Sequence, residues 1–149
     1  MNHSAKNILN EWISRLNKDN NTQLEFEGDV CFIPFDETLM SLKVFSNSPD
    51  FYINTCVAPL PDSDYLKLKV MQECLKINQN QIETLGAALA IDDDLSVIML
   101  SFLDDINAYN VDSFNKIIEA FYFTALRLRN RINFNDDKLD SNDNSIHLI

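Results

Sequence analysis

The pattern of apolar and polar positions predicts an amphipathic helix near each end of the chain. From Ala5 to Asn17, apolar residues recur every three or four positions and form one stripe, and Ser4 can cap this helix. From Val111 to Ile132, apolar residues recur in alternating steps of three and four, which is typical of one seam along a long helix. We therefore expect both helices to bury one side against the same face of a sheet.

Between these helices, several segments show the patterns of β-strands. Residues 30–35 are dense in β-branched and aromatic types, and residues 39–45 and 51–58 alternate between two faces. Turn-forming residues separate these segments, so we expect an antiparallel meander. Residues 85–91 and 95–103 then predict a hairpin around the turn Asp92–Asp94.

A third helix is predicted at residues 65–78, after Pro59 and Pro61 end the sheet. Its apolar positions are spread more widely than one core-facing stripe requires, so this helix needs a second partner surface. The predicted element order is α-βββ-α-ββ-α, an α+β fold with helices packed on an antiparallel twisted sheet of five strands. We expect one domain over residues 1–132, and a flexible acidic tail rich in Asn and Asp over residues 133–149.

The predicted helices leave some apolar surface uncovered. The first and last helices can cover one face of the sheet, but the middle helix alone cannot cover the other. A group of aromatic residues must then be buried by a partner or stay exposed, unless each of them packs inside the chain: Phe32, Phe35, Phe45, Phe51 and Tyr52. Exposed apolar patches of more than a few hundred Å² usually mark an interface.

Composition narrows the class of partner. The chain has 149 residues, of which 46% are apolar, and a formal net charge of −11. Such a surface repels nucleic acids and anionic membranes, so we expect no nucleic-acid partner and no membrane insertion. The first residues lack the pattern of a signal peptide, and the three cysteines fit neither a disulfide framework nor a zinc site. We expect a cytoplasmic protein with reduced thiols.

The sequence contains no arrangement of residues that is typical of a catalytic site. The only histidines, His3 and His147, lie close to the ends of the chain, so no internal imidazole can act as a base or bind a metal. No phosphate-binding or nucleophile motif occurs, and the acidic runs fall in predicted turns or in the tail. We therefore expect no catalytic site, no metal and no cofactor.

Several local features together resemble one family, over the range from Ile8 to Ile132. The resemblance is to the class I type III secretion chaperones, the Tir chaperone or CesT-like family. It rests on the first helix with Trp12 and on four further segments in order: Leu24-Glu25-Phe26-Glu27-Gly28, Ala58-Pro59-Leu60-Pro61, Leu85-Gly86-Ala87-Ala88-Leu89-Ala90, and the last helix with Phe121, Ala125 and Leu128. The tail after Ile132 is an addition to the family pattern.

This resemblance implies a function. Members of the family are ATP-independent homodimers in the cytoplasm of Gram-negative bacteria, and each binds the N-terminal segment of one or a few secreted effectors to keep it soluble and secretion-competent. A client strand can extend a sheet edge, and apolar client residues can fill grooves. The effector-binding residues implied for this chain are Leu9, Trp12, Leu24, Phe26, Phe32, Ile33, Phe35, Leu42 and Val44. Trp12 has two open roles, since it can also pack in the core.

The resemblance also implies an interface between two copies, built from the middle helix and the strand that follows it. The residues implied are Leu66, Val70, Met71, Cys74, Leu75, Leu85, Ala88 and Leu89. Two other functions remain open. One is a non-catalytic adaptor or regulatory subunit of the same fold that binds a folded partner protein. The other is a small enzyme that uses carboxylates alone.

Removal of residues 133–149 is expected to lower the melting temperature by no more than a few degrees, because this segment contains few apolar residues. Thermal unfolding of the truncated and full-length chains measures the difference. A loss of ten degrees or more would show that the segment belongs to the folded core.

Overall fold

The computed structural model describes residues 4–35 and 38–143, and the side chains of these residues as far as Ile132. Four α-helices, six strands and one 3-10 turn follow one another along the chain. In chain order they are α1 Ala5–Asn20, β1 Phe26–Glu27, β2 Val30–Phe35, β3 Thr38–Val44, β4 Asp50–Pro59, α2 Asp64–Gln79, α3 Gln81–Thr84, β5 Ala88–Asp92, β6 Val97–Asp105, the 3-10 turn Ile106–Ala108 and α4 Val111–Asp143.

The strands form one sheet in the order β1-β2-β3-β4-β6-β5. The first four strands pair antiparallel with their neighbours in sequence, which confirms the predicted meander. The predicted α+β fold is also confirmed, but the sheet has six strands rather than five. The extra strand, β1, forms a hairpin with β2 through Gly28 and Asp29, and Gly28 supplies the positive φ of 64° that this turn needs.

The chain divides into two compact units, each of which has its own buried residues. The first unit comprises residues 1–55 and 101–122, and the second comprises residues 56–100 and 123–149. Strands β4 and β6 and helix α4 contribute residues to both units. The prediction of one domain over residues 1–132 stays a prediction.

The core of the first unit lies on one face of β3 and β4. Along β4, Phe51, Ile53 and Thr55 are buried while the residues between them are partly exposed, as the alternating sequence predicts. The Phe51 ring lies 5.5 Å from that of Phe114 in α4, and Phe114 lies 5.4 Å from Trp12 in α1. Helices α1 and α4 therefore cover the same face, and each large side chain buried there contributes about 1.5–3 kcal/mol.

Side-chain amides fix the connections within both units. In the first unit, Asn17 of α1 brackets the backbone of Leu24, accepting from its N–H at 2.8 Å and donating to its C=O at 2.7 Å. In the second unit, Asn78 of α2 brackets Leu89 of β5 in the same way, at 2.7 Å and 2.9 Å. Both loop segments thus keep their backbone groups paired without a longer sheet or helix.

The far end of α4 differs from the sequence prediction. The predicted helix ends at Ile132, whereas the backbone of α4 stays helical to Asp143. The three arginines Arg127, Arg129 and Arg131 therefore lie inside the helix and not in its last turn. They bond to α2, α3 and β4 instead. The flexibility of residues 133–149 stays a prediction, and residues 144–149 lie outside the described part of the chain.

Burial of Cys74 makes the folding stability depend on pH. Burial first, and then the charge of Glu73, raises the pKa of this thiol from 9.0 to about 11. Between pH 9 and pH 11 the Cys74 thiol keeps in the folded chain a proton that it has lost in the unfolded chain. Its contribution to the free energy of unfolding is therefore fully present below pH 9 and is lost as the pH rises towards 11.

The loss is expected to be about 2 kcal/mol at pH 10.5, because the folded-state pKa near 11 has not yet been passed, and Cys74→Ala should remove it. Urea unfolding at pH 8 and pH 10.5 under reducing conditions measures the drop in each chain, and groups common to both cancel in the difference. Equal drops in the wild type and Cys74→Ala would contradict the assignment.

Candidate protein-binding surfaces

The sheet face of the first unit opposite α1 and α4 is called the open sheet face here. Four of its large apolar side chains are 41–59% exposed. Phe32 lies on β2, Leu39 on β3, Phe45 directly after β3, and Leu103 on β6. Alternation explains the position of Phe32, Leu39 and Phe45, because their chain neighbours Cys31, Met40 and Val44 are turned into the core. Large apolar side chains grouped on one face are typical of a binding surface.

Polar side chains on the open sheet face pair with one another. Residues Phe32, Ser41 and Asn54 lie side by side across β2, β3 and β4, and the Ser41 hydroxyl donates to the Asn54 side chain. The Tyr52 hydroxyl donates to Ser101 at 2.8 Å. A partner that covered this face would bury hydrogen bonds that are already satisfied, so the desolvation penalty would be small.

The outer edge of β2 is only partly covered. β1 pairs with Val30 and Cys31, and no strand of the described residues pairs with the outer side of residues 32–35. The Val44 N–H donates to the Asp29 C=O at 3.0 Å. Antiparallel alternation from that pair directs the N–H and C=O of Phe32 and the C=O of Pro34 away from β3. This edge can therefore accept one more strand, and proline is tolerated at such an edge.

The structure separates the nine predicted effector-binding residues into three groups. Leu9, Leu42 and Val44 have at most 1% of their surface exposed and lie in the core, so they offer nothing to a partner in this conformation. Of these nine residues, only Phe32 is exposed. The remaining five are half-buried, with Trp12 against Phe114 and Phe35 stacked on Tyr122 at 4.3 Å: Trp12, Leu24, Phe26, Ile33 and Phe35.

The predicted effector-binding residues do not include Leu39, Phe45 or Leu103, although Phe45 belongs to the aromatic group that the sequence analysis expected a partner to cover or solvent to reach. The signal was available for the first two, because the alternation that buries Met40, Leu42 and Val44 places Leu39 and Phe45 on the opposite face.

The second unit has its own apolar surface, on α2. Val70, Cys74 and Ile77 turn one side of this helix into the core. The opposite side, called the α2 face here, carries four apolar side chains that are 39–67% exposed: Tyr65, Leu68, Met71 and Leu75. The sequence predicts a helix that is apolar on two sides, and the structure has one. None of the described side chains of the second unit, which extend to Ile132, covers this second side.

The eight predicted interface residues, which lie on α2, after α3 and on β5, divide into buried and exposed ones. Val70, Cys74 and Leu89 are buried in the chain's own core, and Leu66 is half-buried. The other four are exposed: Met71, Leu75, Leu85 and Ala88. The prediction omitted Tyr65, Leu68 and Ile82, although the spacing of Leu68, Met71 and Leu75 at three and four residues is itself a signal of a helix seam.

None of the titratable groups with a shifted pKa is an activated nucleophile. Burial first, and then the Glu25 charge, raises the pKa of Cys31. Burial and a 2.6 Å hydrogen bond to Asp104 raise the pKa of Tyr109. These groups therefore stay protonated at neutral pH. In the described part of the chain, no three His, Cys, Asp or Glu side chains converge on a position that could hold a metal ion. Each described helix is too short or too polar to cross a membrane.

No protein-family model matches the sequence, and no curated protein matches it either. Solved structures do match. The crystal structure of the ExsC–ExsE complex superposes with a TM-score of 0.69 at 10% identity, over 86% of this chain and 96% of that one. The Yersinia pestis type III secretion chaperone SycH, in complex with a stable fragment of YscM2, superposes with a TM-score of 0.60 at 13% identity, over 84% and 99%.

The fold also occurs outside such complexes. An uncharacterized protein from Methanothermobacter thermautotrophicus superposes with a TM-score of 0.57 at 8% identity, over 90% of this chain and 97% of that one. At these identities the comparisons show the fold alone. The antiparallel six-stranded sheet and the four helices thus have the fold of the type III secretion chaperones.

Proposed function

We propose that this protein is an ATP-independent, non-catalytic chaperone of the class I, CesT-like kind, which acts in the cytoplasm of a Gram-negative bacterium. As a homodimer it binds the N-terminal chaperone-binding segment of a type III secretion effector and keeps that segment soluble and secretion-competent. The observation that carries the proposal is the open sheet face, where four large apolar side chains are exposed beside an edge of β2 that β1 covers only in part.

The open sheet face and the edge of β2 suit an extended client. A client strand can pair with the outward backbone groups of Phe32 and Pro34, while its side chains contact Phe32 and Leu39. Ordering a disordered client costs several kcal/mol, which a long contact with many apolar side chains can offset. The net charge of −11 favours solubility of the resulting complex.

The α2 face suits a second copy of the chain. Leu68, Met71 and Leu75 form a seam that can pack against the same seam of another copy, as two-fold symmetry requires. Charge supports this pairing. Within α2 three lysines stand against two acidic residues, although the whole chain carries 23 acidic and 12 basic residues. Two copies can therefore approach through α2 without the repulsion expected elsewhere on their surfaces.

The ExsC structure was solved in complex with ExsE, and the SycH structure in complex with a fragment of YscM2. This supports partner binding as the function of the present chain. An adaptor that binds a folded protein would use the same exposed surfaces, and the client experiment below separates the two.

Met71→Asp is expected to convert the dimer to a monomer, because a charge buried without a partner in an interface costs several kcal/mol. Sedimentation velocity over a range of concentrations measures the change. Asn10→Asp is the matched control, since this exposed residue of α1 adds the same charge outside the α2 face and should leave the dimer intact. An unchanged dimer in Met71→Asp would contradict the interface.

The double variant Phe32→Asp/Leu39→Asp is expected to reduce client capture at least tenfold. The measurement is a pull-down from a type III-secreting bacterium with the co-purifying effector identified and quantified. Asn130→Asp, an exposed position on α4, should capture as much client as the wild type.

The same experiment with the effector shortened at its N-terminus tests the mode of binding. Loss of binding on shortening supports the chaperone function, and binding that survives favours the adaptor. Full capture by the double variant would contradict a role for the open sheet face.

A further inference from the structure

One basic side chain lies among the exposed apolar residues of the open sheet face. Lys43 of β3 is exposed, and it is directly opposite Val30 of β2 and Tyr52 of β4. Its chain neighbour Val44 is buried in the core, so alternation turns Lys43 away from α1 and α4. The Lys43 ammonium lies 5.9 Å from the centre of the Phe45 ring, a weak cation–π contact. A positive charge is thus part of the surface that a client would cover.

The uncharged polar side chains around Lys43 are paired with one another. The Tyr52 hydroxyl donates to Ser101 at 2.8 Å, and the Ser41 hydroxyl donates to Asn54. None of these four side chains carries a negative charge that could balance the ammonium. The chain itself therefore offers Lys43 no counter-charge among these neighbours.

The carboxylates close to this part of the sheet have other partners. Asp50, at the start of β4, accepts a hydrogen bond from the Ser48 hydroxyl at 3.0 Å. Asp29, in the turn before β2, pairs with Lys6 at 3.4 Å. Within residues 4–35 and 38–132, no carboxylate forms an ion pair with Lys43. Its ammonium therefore depends on water for most of its stabilisation.

A client that binds along the open sheet face has to pass over Lys43. Leu39 and Phe45 are exposed on the same side of β3 as Lys43, and Lys43 lies between them in the chain. The distance along the strand from Leu39 to Phe45 is about 20 Å, which a short extended segment spans. Contact with both apolar side chains therefore removes water from the lysine.

Loss of this water makes the site selective. An ammonium that is buried without a counter-charge is strongly unfavourable, whereas a carboxylate placed against it forms a charge-assisted hydrogen bond in a dry environment. A client with a carboxylate at this point therefore binds better than the same client with a neutral or basic residue there. This difference between two clients is what specificity requires.

The net charge of the chain limits how many carboxylates the client can carry. At −11, the protein repels a segment rich in Asp and Glu, so only the carboxylate that reaches Lys43 is favoured. Neutral or basic residues suit the other polar positions. The occupant that fits is an extended segment with apolar residues at alternate positions and one carboxylate among them.

We propose that Lys43 is a specificity-determining residue of the open sheet face, and that it selects extended client segments with one Asp or Glu between apolar residues. This inference rests on the proposed function and adds the chemistry of the client. The apolar side chains of the face supply contact area, and Lys43 supplies the choice among apolar segments.

Selection from a peptide library tests this choice without a known client. Phage that display random peptides of about 12 residues are selected on the wild type, Lys43→Arg and Lys43→Glu. The wild type and Lys43→Arg should enrich peptides with one Asp or Glu between apolar residues at least about fivefold, and Lys43→Glu should enrich Lys or Arg there instead. Lys116→Glu, the same charge reversal at an exposed position on α4, should select as the wild type does.

A matched pair of peptides measures the contribution of the charge. The best wild-type peptide is made with its Glu and with Gln at that position, and the wild type should bind the Glu form at least about fivefold more tightly at low salt. Lys43→Gln should bind the two forms equally, with an unchanged melting temperature. A wild-type selection without acidic enrichment, or equal selections by the wild type and Lys43→Glu, would overturn the inference.

The double variant Phe32→Asp/Leu39→Asp separates this inference from the proposed function. If it loses the selected peptides while changes at Lys43 have no effect, Lys43 is not selective and the open sheet face remains the client site. If it binds them as the wild type does, the peptides occupy another surface and both proposals lose their support. If it dissociates the dimer in sedimentation while Met71→Asp does not, the open sheet face is occupied by a second copy, and both are overturned.

Discussion

One-sided burial of the sheet is the constraint on which the first unit depends. Phe51 contacts the rings of Phe102, Tyr109 and Phe114 on the side of α1 and α4, and this cluster fixes which face of each strand is inside. Because side chains alternate along a strand, every residue placed in that core sends its neighbours to the other face. The exposed Phe32 and Leu39 are the direct consequence, and the proposed client site exists because the described helices of the first unit leave them uncovered.

In the second unit, the exposed apolar surface lies on a helix. Its helix α2 is apolar on two sides, and only the side with Val70, Cys74 and Ile77 is used internally. A helix exposed in this way would favour non-specific association unless its outer side had a defined partner. The arginines of α4 give that outer side a fixed shape, since Arg131 joins Glu73 of α2 to Glu83 of α3. The proposed interface is thus supported from behind by polar contacts within one chain.

The open sheet face and the α2 face have different roles in the proposed function. Backbone groups at the edge of β2 recognise an extended chain without regard to its side chains, which suits a client held in a non-globular state. The seam on α2 depends on the packing of particular side chains, which suits a single, self-complementary partner. The excess of acidic residues outside α2 serves both, because it opposes unspecific association where neither surface lies.

Sequence periodicity by itself determined the regular elements. It placed β2 at its observed bounds and α2 to within one residue at each end, because apolar side chains repeat there over many positions. It missed β1 and α3, which have two and four residues and are too short for any period to show. It also indicated that α2 has two apolar sides, and that the chain carries more apolar residues than its helices can cover.

Only the tertiary structure decided which of those residues are inside. Leu42 and Leu39 are equally apolar, and the sequence places them on opposite faces of β3 without saying which face the helices cover. Packing against α1 and α4 buries Leu42 and leaves Leu39 exposed. The role of Arg131 likewise depends on residues 48 and 58 positions away, and no local pattern encodes a contact at that distance. Periodicity is a property of neighbours in the chain, whereas burial and ion pairing are properties of neighbours in space.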